Sequence, residues 1–313
     1  MNMKFLDILI LLVLFIILGL GLYVLWLNIP DEPTKFEEFK FDKSNMDRVY
    51  LNSKEIQFYP NMRYRDKRIS YGISDFCDLA KKNDIDFAFS IIEDKTILEF
   101  YKKNDEVEIS VLCSNIVPRP DEEGHFVAGE GGPSEIINNS NFAVIFSGKV
   151  SLFRKNECQN PNIAIHEILH ALGFDHNNNQ KSVMYPLTRC DQEVDQYLID
   201  EIDRLYSVES MPDLAIESVT ANKTGRYLNF EVSIINFGLQ DSESSNLGIY
   251  AGAQLVKEFN LESIGIGTRK ILSVQNLVVP RGADVLSFEI KTPESELSKE
   301  NNFVELRLVR VDG

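Results

Sequence analysis

At 313 residues with 44% hydrophobic side chains, the chain is long enough for two modest globular domains, each with its own core. The formal net charge of −16, from 32 Lys+Arg against 48 Asp+Glu, excludes nucleic acid and anionic lipid as natural partners, because their phosphates would be repelled.

The first element in chain order is an apolar run without a charge from Ile8 to Ile29, twenty-two residues that predict one transmembrane helix as an uncleaved anchor (residues 1–29). Tyr23 and Trp26 suit its far interface. Residues 30–47 are polar, with Pro30, Pro33, Glu37 and Glu38, and read as a tether without a core. Strand-like runs follow at Glu55–Tyr59, Phe87–Ile92, Val107–Leu112, Phe142–Phe146 and Val150–Phe153, with a helix around Ile69–Lys82. A further helix over Gln192–Tyr206 repeats apolar residues at Val194, Leu198, Ile202 and Leu205. The periodic pattern breaks at Val208–Pro212, and alternation at Leu228, Phe230, Val232, Ile234 and at Val304, Leu306, Leu308 predicts an all-β, immunoglobulin-like sandwich over 212–313.

Three of the four histidines fall in one short segment, His166-Glu167-Ile168-Leu169-His170-Ala171-Leu172-Gly173-Phe174-Asp175-His176. Positions i and i+4 share a helical face, so the imidazoles of His166 and His170 can converge on one metal ion. Gly173 can end the helix in a left-handed turn and bring His176 round as the third ligand. Glu167, beside that face, is placed to act as general base on a water without ligating. Ser182-Val183-Met184-Tyr185-Pro186 follows, with Met184 placed to pack below the metal rather than to bind it.

Residues 166–186 resemble the active site of a metzincin zinc endopeptidase of the matrixin-like branch. That resemblance implies one catalytic Zn2+ on His166, His170 and His176, Glu167 as catalytic base, Met184 as the methionine turn, and Tyr185 and Pro186 beside the substrate pocket. It also implies an α+β fold over residues 48–208, a zincin-type catalytic domain with a twisted sheet, an early helix and the active-site helix. Pro212-Asp213-Leu214, Asn236-Phe237-Gly238 and Glu300-Asn301-Asn302 resemble adhesion-related, CARDB-like β-sandwich modules, which implies a surface partner for the second domain or a passive spacer role.

Cys77, Cys113, Cys158 and Cys190 make an even set outside any C-x-x-C motif, the pattern of two disulfides in an oxidising compartment. Four cysteines allow three pairings. Bracketing of the zinc motif favours Cys158 with Cys190 and leaves Cys77 with Cys113, while four buried thiols in a cytosolic protein stand as the alternative. Lysine and arginine counts around the apolar run leave its orientation open, so the disulfides decide for domains outside the cytoplasm. His125, with Asp121, Glu122, Glu123 and Glu130, offers a weaker structural metal site of the Ca2+ or zinc kind. No cysteine in 30–47 could block the zinc, so a thiol latch is not expected. The expected function is membrane-anchored zinc-dependent hydrolysis of protein or peptide substrates. The alternatives are a non-catalytic surface adhesion protein and an intracellular zinc-dependent hydrolase.

Overall fold

The structure is a computed structural model that describes residues 5–28, 33–41, 56–114, 116 and 127–309. His125 and its neighbours Asp121–Glu123 lie outside the described residues, so the weaker metal site is not placed; Glu130 is described. Helix α1 runs Phe5–Asn28, 24 residues or about 36 Å at the usual rise. Within it, Ile8 and residues 10–25 have described side chains, all exposed. Among the described residues no helix is long and apolar enough to cross a membrane.

The matrix of the first globular unit is a six-stranded sheet built from β3 (Met62–Tyr64), β4 (Arg68–Ile73), β5 (Glu99–Lys102), β6 (Ile109–Cys113), β7 (Gly129–Asn138) and β8 (Ala143–Leu152). β8 is central: β3 and β6 pair with it in parallel along one side, and β7 pairs antiparallel along the other. β7 has no second partner, so its outer edge is open among the described residues. Helices α2 (Leu79–Lys95) and α3 (Asn162–Ala171) pack against each other and the sheet, and α4 (Gln196–Tyr206) closes the unit against β3.

Several local expectations change. The Ile69–Lys82 helix is instead strand β4 followed by the start of α2, and Phe87–Ile92 belongs to α2 rather than to a strand. Ile85, Ala88, Phe89 and Ile92 are the buried apolar members of α2, spaced at three and four residues, so burial follows the helical period. Asp78 caps it, accepting from the Lys81 N–H at 2.9 Å. Phe142–Phe146 and Val150–Phe153 are two ends of one strand, β8. In place of Glu55–Tyr59, only Gln57 forms an isolated bridge, to Phe174.

Arg63 ties β3 to the end of α4. Its guanidinium is buried, donates to the Leu205 and Val208 carbonyls, and lies 4.5 Å above the Tyr206 ring. Positive charge at a helix C-terminus also meets the negative end of the macrodipole. Arg63→Ala is expected to lower unfolding free energy by about 2–4 kcal/mol, since it strands buried carbonyls and removes packing. Urea denaturation checks this, and a loss below half a kcal/mol would contradict it.

The second unit is a sandwich of two antiparallel sheets. One holds β9 (Leu214–Thr224), β10 (Tyr227–Asn236) and β13 (Arg269–Val278); the other holds β12 (Gln254–Leu261), β11 (Ser245–Ala251), β14 (Val285–Lys291) and β15 (Phe303–Arg307). Their facing side chains, among them Val232, Ile234, Leu247, Leu286 and Phe288, form one core. Residues 33–41 depart from the coreless tether expected of them. β1 (Thr34–Lys35) and β2 (Phe39–Lys40) pair with β9, and Phe36, 3% exposed, enters the sandwich core. Backbone bonds Glu37 N→Arg307 O (2.9 Å) and Val309 N→Lys35 O (2.9 Å) fasten the same segment to the chain around β15.

The units meet where the β7–β8 turn touches the sandwich. Phe142 and Val144 pack with Leu239 and Ile266, and Asn139 Nδ2 donates to the Gly238 carbonyl at 2.6 Å. Asp213, buried beside this seam, accepts from Asn301 Nδ2 at 2.9 Å and from Asn141 Nδ2 at 3.4 Å. Burial pushes its carboxyl up to about 6; the Asn301 bond opposes that shift and the nearby Glu296 charge adds to it. A folded pKa above the unfolded value gives stability that is full below pH ~4 and lost as pH rises through ~6. Relative to Asp213→Asn, the native chain should therefore lose about 2–3 kcal/mol between pH 4 and 7. Parallel melts across that range check it; a pH-independent difference would refute it.

Candidate metal centre and active site

Helix α3 carries His166, Glu167 and His170 on its buried length, and its end explains how His176 joins them. Gly173 takes φ +97°, Gly173 N–H donates to the His170 carbonyl (2.9 Å), and Phe174 N–H donates to the Leu169 carbonyl (3.1 Å). This pair of bonds around a left-handed residue is a Schellman stop. A side chain at 173 would also run into Met62. The chain then reverses, and the Asp175 carboxylate accepts from the His176 N–H at 2.7 Å, so Asp175 shapes the turn.

The three Nε2 atoms stand 3.0 Å (His166–His170), 3.2 Å (His170–His176) and 3.2 Å (His166–His176) apart. Nitrogens bound at about 2.05 Å around a tetrahedral zinc would be about 3.3 Å apart. The Nδ1 atoms of His166 and His170 lie 2.6 and 2.7 Å from the carbonyls of Val183 and Phe174. A carbonyl only accepts, so each Nδ1 carries the proton and each Nε2 turns a lone pair inward. Lone pairs so close repel unless a cation lies between them, and the donor set therefore fits zinc. Burial, then the neighbouring His170, pushes His166 down to about 4, with the Val183 bond opposing, and burial likewise lowers His170; both rings are neutral at pH 7, the ligating form. Phe58 stacks on His170 at 5.7 Å between ring centres, a contact that the sequence pattern did not reveal.

Val183, the residue that orients His166, belongs to the methionine turn. Its N–H donates to Glu193 O (2.8 Å), Met184 O accepts from Asn177 N–H (2.9 Å), and Met184 is fully buried in the core. The turn thus fixes a ligand's tautomer through its backbone while Met184 supplies packing.

These groups open on a cleft of about 1050 Å³. Its lining includes the start of β7, with Gly129, Glu130 and Gly131, and also Pro186, Leu187 and Thr188. Tyr185 is half-buried beside Pro186 and is not among the lining residues. The disulfide Cys158–Cys190 lies at this cleft, and the second, Cys77–Cys113, staples α2's entry to β6; both are the favoured pairings. Asn162 Nδ2 donates to Arg189 O (2.8 Å), and Gln192 Nε2 donates to Leu187 O (2.9 Å), holding the loop after the methionine turn. Glu167 is nearly buried; burial and then the Glu130 charge push its carboxyl up to about 8.

Residues 63–207 match the family model for Matrixin (Peptidase_M10). The matrixin-like segment thus runs from β3 to the end of α4 and contains the whole histidine cluster. Similarity to that family supports a metalloprotease at family level, and the three histidines of the segment could hold a metal ion. No curated protein matches the chain. Among solved structures, a CARDB domain from Pyrococcus furiosus in complex with di-metal ions is 20% identical, covering 32% of this chain and 87% of that one, TM-score 0.27. A domain of a putative cell surface protein from Methanosarcina acetivorans is 19% identical, covering 32% and 90%, TM-score 0.26.

The sequence pattern placed the ligands and Glu167 together, and it gave Phe142–Phe146 as a strand. Those residues lie inside the sheet, covered by β7, which is the edge that borders the cleft. β7 was missed because Gly129-Glu130-Gly131-Gly132-Pro133-Ser134 lacks the alternation and branched residues of a strand.

Proposed function

We propose that the protein is a membrane-anchored zinc endopeptidase that hydrolyses peptide bonds outside the cytoplasm. The observation that carries this reading is the set of three inward Nε2 atoms, two of them fixed by carbonyls, beside Glu167 on an open cleft. His166, His170 and His176 would hold the zinc, which when bound supplies a Lewis acid that acidifies water and offsets developing negative charge. Glu167 takes the proton of the attacking water and passes it to the departing amine. Its burial makes the carboxylate a stronger base than one in bulk water. The free edge of β7 accepts an extended peptide backbone as an added strand, and Pro186 with Leu187 borders the side-chain pocket.

The anchor is α1: Leu11, Phe15, Leu18 and Leu22 are about half exposed or more, and the charge-free run continues through Ile29 beyond the described side chains. Two disulfides with no free cysteine support an oxidising compartment. The sandwich, in this reading, offers a surface for a cell-envelope partner.

Incubating the full chain with a proteome-derived peptide library tests the proposal. Cleavage should appear, stop with a chelator and return with zinc. Protein with stoichiometric zinc that cuts no library member would overturn the peptidase reading and favour the adhesion one. Retention of the full chain in carbonate-washed membranes, lost on removing residues 1–29, tests the anchor.

A further inference from the structure

Strand β7 begins Gly129-Glu130-Gly131-Gly132, and three glycines in four residues are costly in a strand unless something requires them. Backbone conformation does not, since none of the three has a positive φ. Close approach does. A Cβ on Gly129 would stand 2.6 Å from Glu167 Cγ and 2.8 Å from its Oε1, and one on Gly131 would overlap the Glu167 carbonyl. At Gly132 a Cβ would meet nothing within 4 Å. Residues 129 and 131 share a strand face, so two bare positions lie against α3 at Glu167. No hydrogen bond to the Glu167 carboxylate occurs among the described side chains; packing against β7 is what bounds it.

We infer that Gly129 and Gly131 are positioning residues for Glu167, the bare face of β7 being the wall that holds its carboxylate at the cleft. The kinetic part of this inference rests on the peptidase reading; the packing part does not. Zinc-loaded full-length Gly129→Ala, Gly131→Ala and Gly132→Ala test it by kcat, KM, zinc content, melting temperature and carbodiimide labelling of Glu167 followed by mass spectrometry. Gly129→Ala should lower kcat by about 10–100-fold with KM within about threefold, because a displacement near 1 Å is enough to misplace a reacting group. Zinc content and melting temperature should stay near native, and labelling of Glu167 should rise severalfold as its wall is pushed away. Gly131→Ala, whose clash is with backbone, should add a lower melting temperature. Gly132→Ala should keep native zinc content, melting temperature and Glu167 labelling. Native kcat and labelling in Gly129→Ala would overturn the inference, as would losses that merely track zinc or folding, or equal damage from Gly132→Ala. If the native chain cuts no peptide, the peptidase reading fails and the labelling contrast alone decides.

Discussion

Glu167→Gln is expected to reduce kcat on any cleaved peptide by about 10²–10⁴-fold while leaving zinc content and fold intact. The amide keeps the size of the carboxyl, so the contact with the bare face of β7 survives. What disappears is a group able to take a proton from water and return it to the leaving amine. Glu167 does not belong to the cluster of converging nitrogens, which comprises His166, His170 and His176, so metal retention should not change. KM should move little, because in the proposed binding mode the edge of β7 holds the substrate backbone and Pro186 borders its side chain. Single-turnover kinetics with parallel metal analysis measure all three quantities. A variant that kept more than a tenth of native kcat would remove Glu167 from the proton-transfer role.

Replacing both Cys158 and Cys190 with serine should cost about 3–4 kcal/mol of stability, the chain-entropy value for a closed loop with a sequence separation of 32. The loop encloses every ligand and the methionine turn, so unfolding and metal release are coupled there. The Asn162–Arg189 and Gln192–Leu187 hydrogen bonds remain, which should leave the cleft wall in place once the domain is folded. The expected signature is a lower midpoint in denaturant and faster zinc loss to a chelator, with near-native kcat for the fraction that keeps its metal. An unchanged midpoint would mean that the bridge only decorates a loop already fixed by the other contacts.

The centre was legible because its logic is local. The i, i+4 pair, a glycine stop and a third histidine require only one helix and one turn, so eleven residues specify them. The disulfide partners were legible for a related reason, since one pair brackets that segment. The rest depends on neighbours that are remote in sequence. Phe87–Ile92 is apolar enough to pass for a strand, and its helical spacing emerges only when Ile85 is counted with Ala88, Phe89 and Ile92. β7 gave no strand pattern, because its glycines answer to the backbone of α3 rather than to a pleated surface. Phe36 sits in a polar stretch and owes its burial to β9 and Leu308, which follow it by well over a hundred residues.

That last contact bears on how the gene could be cut. The residues before the matrixin-like segment and those after it build the same sandwich, which makes the catalytic unit an insertion between β2 and β9 rather than a bead on a string. A fragment beginning at residue 212 would lack Phe36 from its core and would bare the edge of β9 that β1 and β2 now cover, a template for association with other chains. Conversely, joining residue 41 to residue 212 through a short flexible loop should give a closed sandwich with no enzyme in it.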